Sequence, residues 1–115
     1  MDAQLKKGVL ELCLLASLSK EPRYGYDVIR SLREDFPEVD DSAFYAVLRR
    51  LHREGVLEQL PGRESGGPPR KYYQLTARGR EDMARLYQDW RRLTEIVERL
   101  TDGEGYQTRF CRSQF

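Results

Sequence analysis

Apolar residues fill the first helix of this chain and then narrow into stripes. Residues 5–18 predict a helix that from Val9 onward is apolar nearly all round, through Leu10, Leu12, Cys13, Leu14, Leu15, Ala16 and Leu18. A helix of that kind must be covered on every side. A chain of 115 residues buries one modest core. The first helix therefore implies a second subunit. Residues 19–23 read as a connector containing Pro22. A second helix follows over residues 24–36. Tyr26, Ile29, Leu32 and Phe36 recur on its inner face, and Asp27, Arg30, Arg33 and Glu34 face out. Phe36-Pro37 ends it, since the residue before proline avoids helical angles.

The third helix, residues 42–54, is the most sharply divided. Asp40, Asp41 and Ser42 are all N-cap candidates. Phe44, Val47, Leu48 and Leu51 follow the i, i+3, i+4, i+7 rule. The opposite face carries Ser42, Ala46, Arg49 and Arg53, flanked by Tyr45 and Arg50. Gly55 falls where a left-handed C-cap belongs.

Two strands, residues 56–60 and 71–75, enclose a loop rich in glycine, proline and arginine, which reads as a hairpin with a long basic tip. Thr76 caps a final helix that runs to about Leu100. Along it Met83, Leu86, Trp90, Leu93, Val97 and Leu100 are spaced 3, 4, 3, 4, 3, a short heptad seam. Residues 102–115 lose periodicity and read as a flexible tail. The expected fold class is mainly α with a small β-hairpin, in three parts. Residues 1–76 form a domain, residues 77–101 a dimerisation helix and residues 102–115 the tail.

Charge changes the picture only locally. Charged residues make up 34% of the chain, but 20 basic side chains nearly cancel 19 acidic ones. Net charge thus gives no general case for nucleic acid, and any such case rests on placement. Between residues 41 and 75 the basic residues are Arg49, Arg50, Arg53, Arg63, Arg70 and Lys71, against Asp41, Glu54, Glu58 and Glu64. The basic ones gather on the bare face of the third helix and on the hairpin loop. A helix that grips its own domain by one face and lies in a DNA groove by the other needs that division. An ordinary solvated face beside a hairpin is the alternative.

Other functions find little support in the residues. No apolar run approaches the roughly 20 residues of a membrane span, and residues 1–7 lack a signal-peptide layout. The compartment expected is the cytoplasm, which suits the two cysteines, Cys13 and Cys111. His52 stands without the spaced cysteines or second histidine of a metal site. No metal, cofactor or catalytic site is expected. Gly66-Gly67 is followed by prolines, which lack the N–H donors of a phosphate cradle.

Several strings together carry a resemblance. They are Tyr24-Gly25-Tyr26-Asp27, Phe44-Tyr45-Ala46-Val47-Leu48-Arg49-Arg50-Leu51, Glu54-Gly55-Val56-Leu57-Glu58 and Gly66-Gly67-Pro68-Pro69-Arg70-Lys71-Tyr72-Tyr73-Gln74-Leu75-Thr76. From about Leu5 to Leu100 the chain resembles the PadR family of bacterial transcriptional regulators. Its short final helix is similar to that of the compact subfamily. The resemblance implies a winged helix-turn-helix and a homodimer on a palindromic operator, acting as a ligand-responsive repressor. Ser42, Tyr45 and Arg49 would read bases. Lys6, Tyr24, Arg50 and Arg53 would hold phosphates, and Arg63, Arg70 and Lys71 would act from the wing. Val9, Met83, Leu86, Trp90, Leu93, Val97 and Leu100 would form the dimer. Leu12, Ala16, Tyr87 and Trp90 would line a central space for a flat aromatic effector; the alternative is that Trp90 only packs the interface. Ala43 and Ala46 depart from the family, which usually carries threonine and proline there. Tyr24 replaces its usual histidine. A winged helix used only as a protein-interaction module, without an operator, is the alternative function.

Overall fold

The computed structural model describes residues 3–61 and 71–101, with side chains from residue 8 onward. It is mainly helical with one small antiparallel sheet. Helix α1 spans Ala3–Ser17. Leu10, Leu14, Leu15 and Leu18 are buried, Val9, Leu12 and Cys13 are half-buried, and Ala16 is exposed. Burial pushes the Cys13 thiol up, with a smaller push from Asp35, so it is not an activated nucleophile.

Helix α2, Gly25–Asp35, corrects the expected inner face. Tyr26 is 55% exposed, whereas Gly25, Val28, Ile29 and Leu32 are buried. Those four residues follow the i, i+3, i+4, i+7 rule, with glycine as its first member. A Cβ at Gly25 would stand 3.1 Å from the Tyr73 ring and 3.3 Å from Leu48. The glycine is thus a socket for neighbouring side chains, and hydrophobic patterning does not register a socket. Phe36 ends the helix as expected, at φ −127° and with its N–H donating to the Leu32 carbonyl.

Helix α3 runs Asp41–Arg53, with Asp40 in extended geometry at its N-cap. Phe44, Leu48 and Leu51 are buried and Val47 is half-buried. At its C-terminus Gly55 adopts φ +80°. The Gly55 N–H donates to the His52 carbonyl and the Val56 N–H to the Leu51 carbonyl. This is a Schellman end, in which only glycine takes the left-handed position without strain. The Arg78 guanidinium adds a bond to the Glu54 carbonyl at 2.6 Å.

The sheet contains one strand more than the sequence reading. Strand β1 is Arg23–Tyr24, β2 is Leu57–Pro61 and β3 is Lys71–Leu75, in the order β1-β3-β2. Leu57 pairs with Leu75 and Pro61 with Lys71, while Tyr24 pairs with Tyr72. The stretch read as a connector thus ends in a strand. Two residues are too few to show a period, and what holds them is partly side chain: the Tyr24 and Tyr72 rings stack at 3.9 Å.

Helix α4, Ala77–Leu100, begins at a tight junction. The Thr76 hydroxyl accepts from the Gly79 N–H at 3.0 Å, the expected cap, and lies 2.7 Å from the Gly55 carbonyl oxygen. The Thr76 N–H donates to the Val56 carbonyl. Gly79 is buried, and a Cβ there would lie 2.2 Å from the Val56 oxygen. Contacts divide the chain into Met1–Ala84, which holds the core, and Arg85–Phe115. Among the described residues no helix is long and apolar enough to cross a membrane.

Gly79→Ala pits helix propensity against this approach. Alanine favours a helix interior by about 1 kcal/mol. The obstructing atom is backbone, however, and already bonded to Thr76. A net loss of about 1–3 kcal/mol is expected, read as a lower denaturant midpoint at unchanged slope.

Candidate nucleic-acid interface

The two faces of α3 are separated as sharply as the sequence indicates. Burying Phe44, Leu48 and Leu51 contributes about 1.5–3 kcal/mol each, so the helix cannot roll on its bed. Ser42, Ala43, Ala46, Arg49 and Arg53 are then left exposed, and Tyr45 is half-buried beside them. Burial pushes the Tyr45 phenol above its ordinary value, with smaller pushes from Asp41, Tyr26 and Tyr73. At neutral pH it is therefore an uncharged hydroxyl, able to donate as well as accept.

The arginines divide into held and unheld. Arg33 of α2 reaches Asp41 at 3.1 Å and neutralises a carboxylate at the start of α3. Arg50 bonds Glu11 of α1 at 2.5 Å and Glu54 at 3.1 Å. The Glu11 bond is the largest cause of its raised pKa. Arg50, expected to hold phosphate, is thus engaged within the chain. Arg49 and Arg53 make no ion pair among the described residues. Sequence reasoning missed Glu11, yet its trace was visible, since it is the one charge interrupting an apolar run.

The other expected site residues are scattered in type. Tyr24 is half-buried in β1 against Tyr72, and Lys71 is exposed at the head of β3. Arg63 and Arg70 lie outside the described residues, as does the side chain of Lys6. Val9 and Met83 are half-buried in the first unit, where Leu12 is also half-buried and Ala16 exposed. In the second unit Leu86 is half-buried, and Trp90, Leu93, Val97 and Leu100 are exposed by 41%, 58%, 51% and 73%. Tyr87 lies 6.3 Å from Trp90, ring to ring, at 24°, and Arg91 covers Tyr87 at 5.9 Å. Among the described residues no acidic, histidine or cysteine cluster is arranged to hold a metal.

The Arg50–Glu11 pair is open to a double-mutant cycle. Both partners keep over 30% side-chain exposure, so solvent screens the attraction. Arg50→Gln and Glu11→Gln should share a coupling of about 0.5–1 kcal/mol in denaturant unfolding.

Comparison with known proteins agrees with this geometry. Residues 14–85 match the model of the transcriptional regulator PadR-like family. The crystal structure of a PadR-like transcriptional regulator from Bacillus cereus is 36% identical at a TM-score of 0.78, covering 89% of this chain and 100% of that one. A PadR family regulator from Eggerthella lenta is 30% identical at a TM-score of 0.75, covering 84% and 85% of the two chains. An uncharacterized protein of Lysinibacillus sphaericus is 29% identical over 100 residues, covering 84% of this chain and 92% of its own length. A divided α3, a small sheet of three strands and a long final helix are thus joined in one sequence of matching order, and the chain belongs to the PadR-like family of DNA-binding transcriptional regulators.

Proposed function

We propose that this regulator is a homodimeric, ligand-responsive repressor that binds a palindromic operator. The observation that carries the DNA reading is the bare face of α3, with Arg49 and Arg53 exposed and unpaired among the described residues while the opposite face is buried. Ser42 and Tyr45 lie in the N-terminal half of the helix, the part that meets base edges in this docking mode, and Arg49 follows one turn after Tyr45 just past its middle. They are the proposed readers of sequence. Arg53, Tyr24 and Lys6 hold phosphate in this reading, and Lys71, Arg63 and Arg70 act from the wing. Arg50 is the weakest of the proposed contacts, because it must leave Glu11 to reach a phosphate. Residues 1–76 serve as the DNA-binding part, residues 77–101 as the dimerisation helix and the cytoplasm as the compartment.

The dimer rests on the stripe of exposed Trp90, Leu93, Val97 and Leu100. Four apolar side chains at heptad spacing on one helix favour a partner helix over water. A two-fold dimer then presents two α3 helices, which fit half-sites about 34–36 Å apart or at a multiple of that spacing. A flat aromatic effector between the subunits, against Leu12, Ala16, Tyr87 and Trp90, would act by favouring one spacing of these helices over another. The stacking of Tyr87 on Trp90 supports an aromatic ligand, since such surfaces stack further rings.

Selection of bound duplex from a random pool, repeated with aromatic compounds, tests the whole reading; no enriched sequence would defeat it. Arg49→Ala should weaken binding to the selected duplex by about 1–3 kcal/mol per half-site and relax its preference at one base pair. Equal affinity would remove Arg49 from the readers. Leu93→Asp should sediment as a monomer and bind the full duplex no better than a half-site. A stable dimer in that variant would place the subunit contact elsewhere.

A further inference from the structure

We infer that Tyr26 and Arg30 of α2 form a clamp for one phosphodiester of the bound duplex, beside the groove that α3 enters. The inference rests on the DNA-binding reading and extends it to a helix whose outer face has so far carried no role.

Tyr26 is 55% exposed, and among the described residues of the first unit it is the one large aromatic side chain left so open. Arg30, one turn further on, holds its guanidinium 5.7 Å above the Tyr26 ring. Its bond to the Tyr26 hydroxyl is long, at 3.5 Å. A bond of that length is weak and leaves the fork of N–H donors largely unspent. No carboxylate pairs with Arg30 among the described residues, whereas Arg33 on the same helix is paired to Asp41. The ring holds the guanidinium in place without neutralising it, which suits a contact to a diffuse anion.

Placement relative to α3 supplies the rest. Arg33, three residues beyond Arg30 on α2, reaches Asp41 at the start of α3 at 3.1 Å, so the Arg30 side of α2 adjoins the N-terminal end of the proposed base-reading helix. In helix-turn-helix docking the helix preceding the reader crosses the backbone. Asp27 and Glu34 are exposed within a turn of Arg30 on the same helix, yet neither pairs with it among the described residues, so its guanidinium keeps its charge for an incoming anion. A hydroxyl donor and a guanidinium one turn apart on a rigid helix match two oxygens of a single phosphodiester.

The test uses the intact protein and the duplex that the wild-type chain selects from a random pool. Arg30→Gln should lower the slope of log affinity against log salt by about two, one lost phosphate contact per protomer of a two-fold complex. Its sequence preference should be unchanged. Arg30→Lys should restore the slope. Tyr26→Phe should keep the slope and weaken binding by about two- to tenfold per half-site. Ethylation interference should show one phosphate per half-site that matters to the wild type and ceases to matter in Arg30→Gln. If the wild type binds a selected duplex while Arg30→Gln keeps its slope and interference pattern, the clamp is overturned and the regulator stands. A wild type that selects no duplex overturns both.

Discussion

The Val56 carbonyl oxygen is the atom on which the described fold turns. It accepts the Thr76 N–H, lies 3.0 Å from the Thr76 hydroxyl, and sits where any side chain at residue 79 would have to go. Three elements end or begin within a few residues of it. The Schellman turn of α3 closes through the Val56 N–H, β2 starts at Leu57, and α4 starts at Ala77. The orientation of α3 is therefore tied to the sheet and to the first turn of α4 by backbone bonds. Bonds between backbone groups hold these elements without the rotamer freedom of long side chains. A base-reading helix needs that stiffness, because side chains displaced by an ångström no longer meet donors and acceptors on base edges.

Against that rigid seat, the polar contacts around α3 act as trim. The Arg33–Asp41 pair sits at its start, and Arg78 and the Glu11–Arg50–Glu54 group sit at its end. Each is exposed enough to be worth little alone. Their effect is directional. They remove or cover charges whose sign would disturb the duplex side, and they tie α3 to α1 as well as to its neighbours in the core. Arg50 illustrates the choice between roles. An arginine cannot hold Glu11 and a phosphate with the same N–H groups, and the carboxylate is already in place.

Much of this was legible in the sequence, and the reasons for the rest are specific. The division of α3, the glycine at its end and the Thr76 cap follow from local rules, and the structure obeys them. The string from Gly66 to Thr76 pointed to the family because it is long and specific as a sequence, which makes a chance match improbable. The inner face of α2 was misread because hydrophobic patterning counts Tyr26 as apolar and Gly25 as nothing. Burial reverses both, since a tyrosine can stand in water and a glycine can be the deepest point of a socket. β1 escaped because two residues have no period. The demand for glycine at position 79 is set by an oxygen 23 positions away, which no local window contains. The Glu11–Arg50 pair spans an even longer separation, 39 positions. The socket at Gly25, the glycine at position 79 and the Glu11–Arg50 pair are each set by a long-range contact.

The near-neutral charge of the chain bears on how such a regulator finds DNA. With 20 basic against 19 acidic residues, long-range attraction to a duplex is weak. Non-specific affinity comes chiefly from counterion release at individual phosphate contacts, so it is limited by how many arginines and lysines stand unpaired on one side. Internal pairing of Arg33 and Arg50 reduces that number. Among the described residues of α2 and α3, the two helices of the docking motif, Arg30, Arg49 and Arg53 make no ion pair. In the proposed dimer each counts twice, and all six can engage only if both half-sites are correctly spaced. Weak general attraction combined with paired local contacts favours discrimination between sites over tight binding to any site.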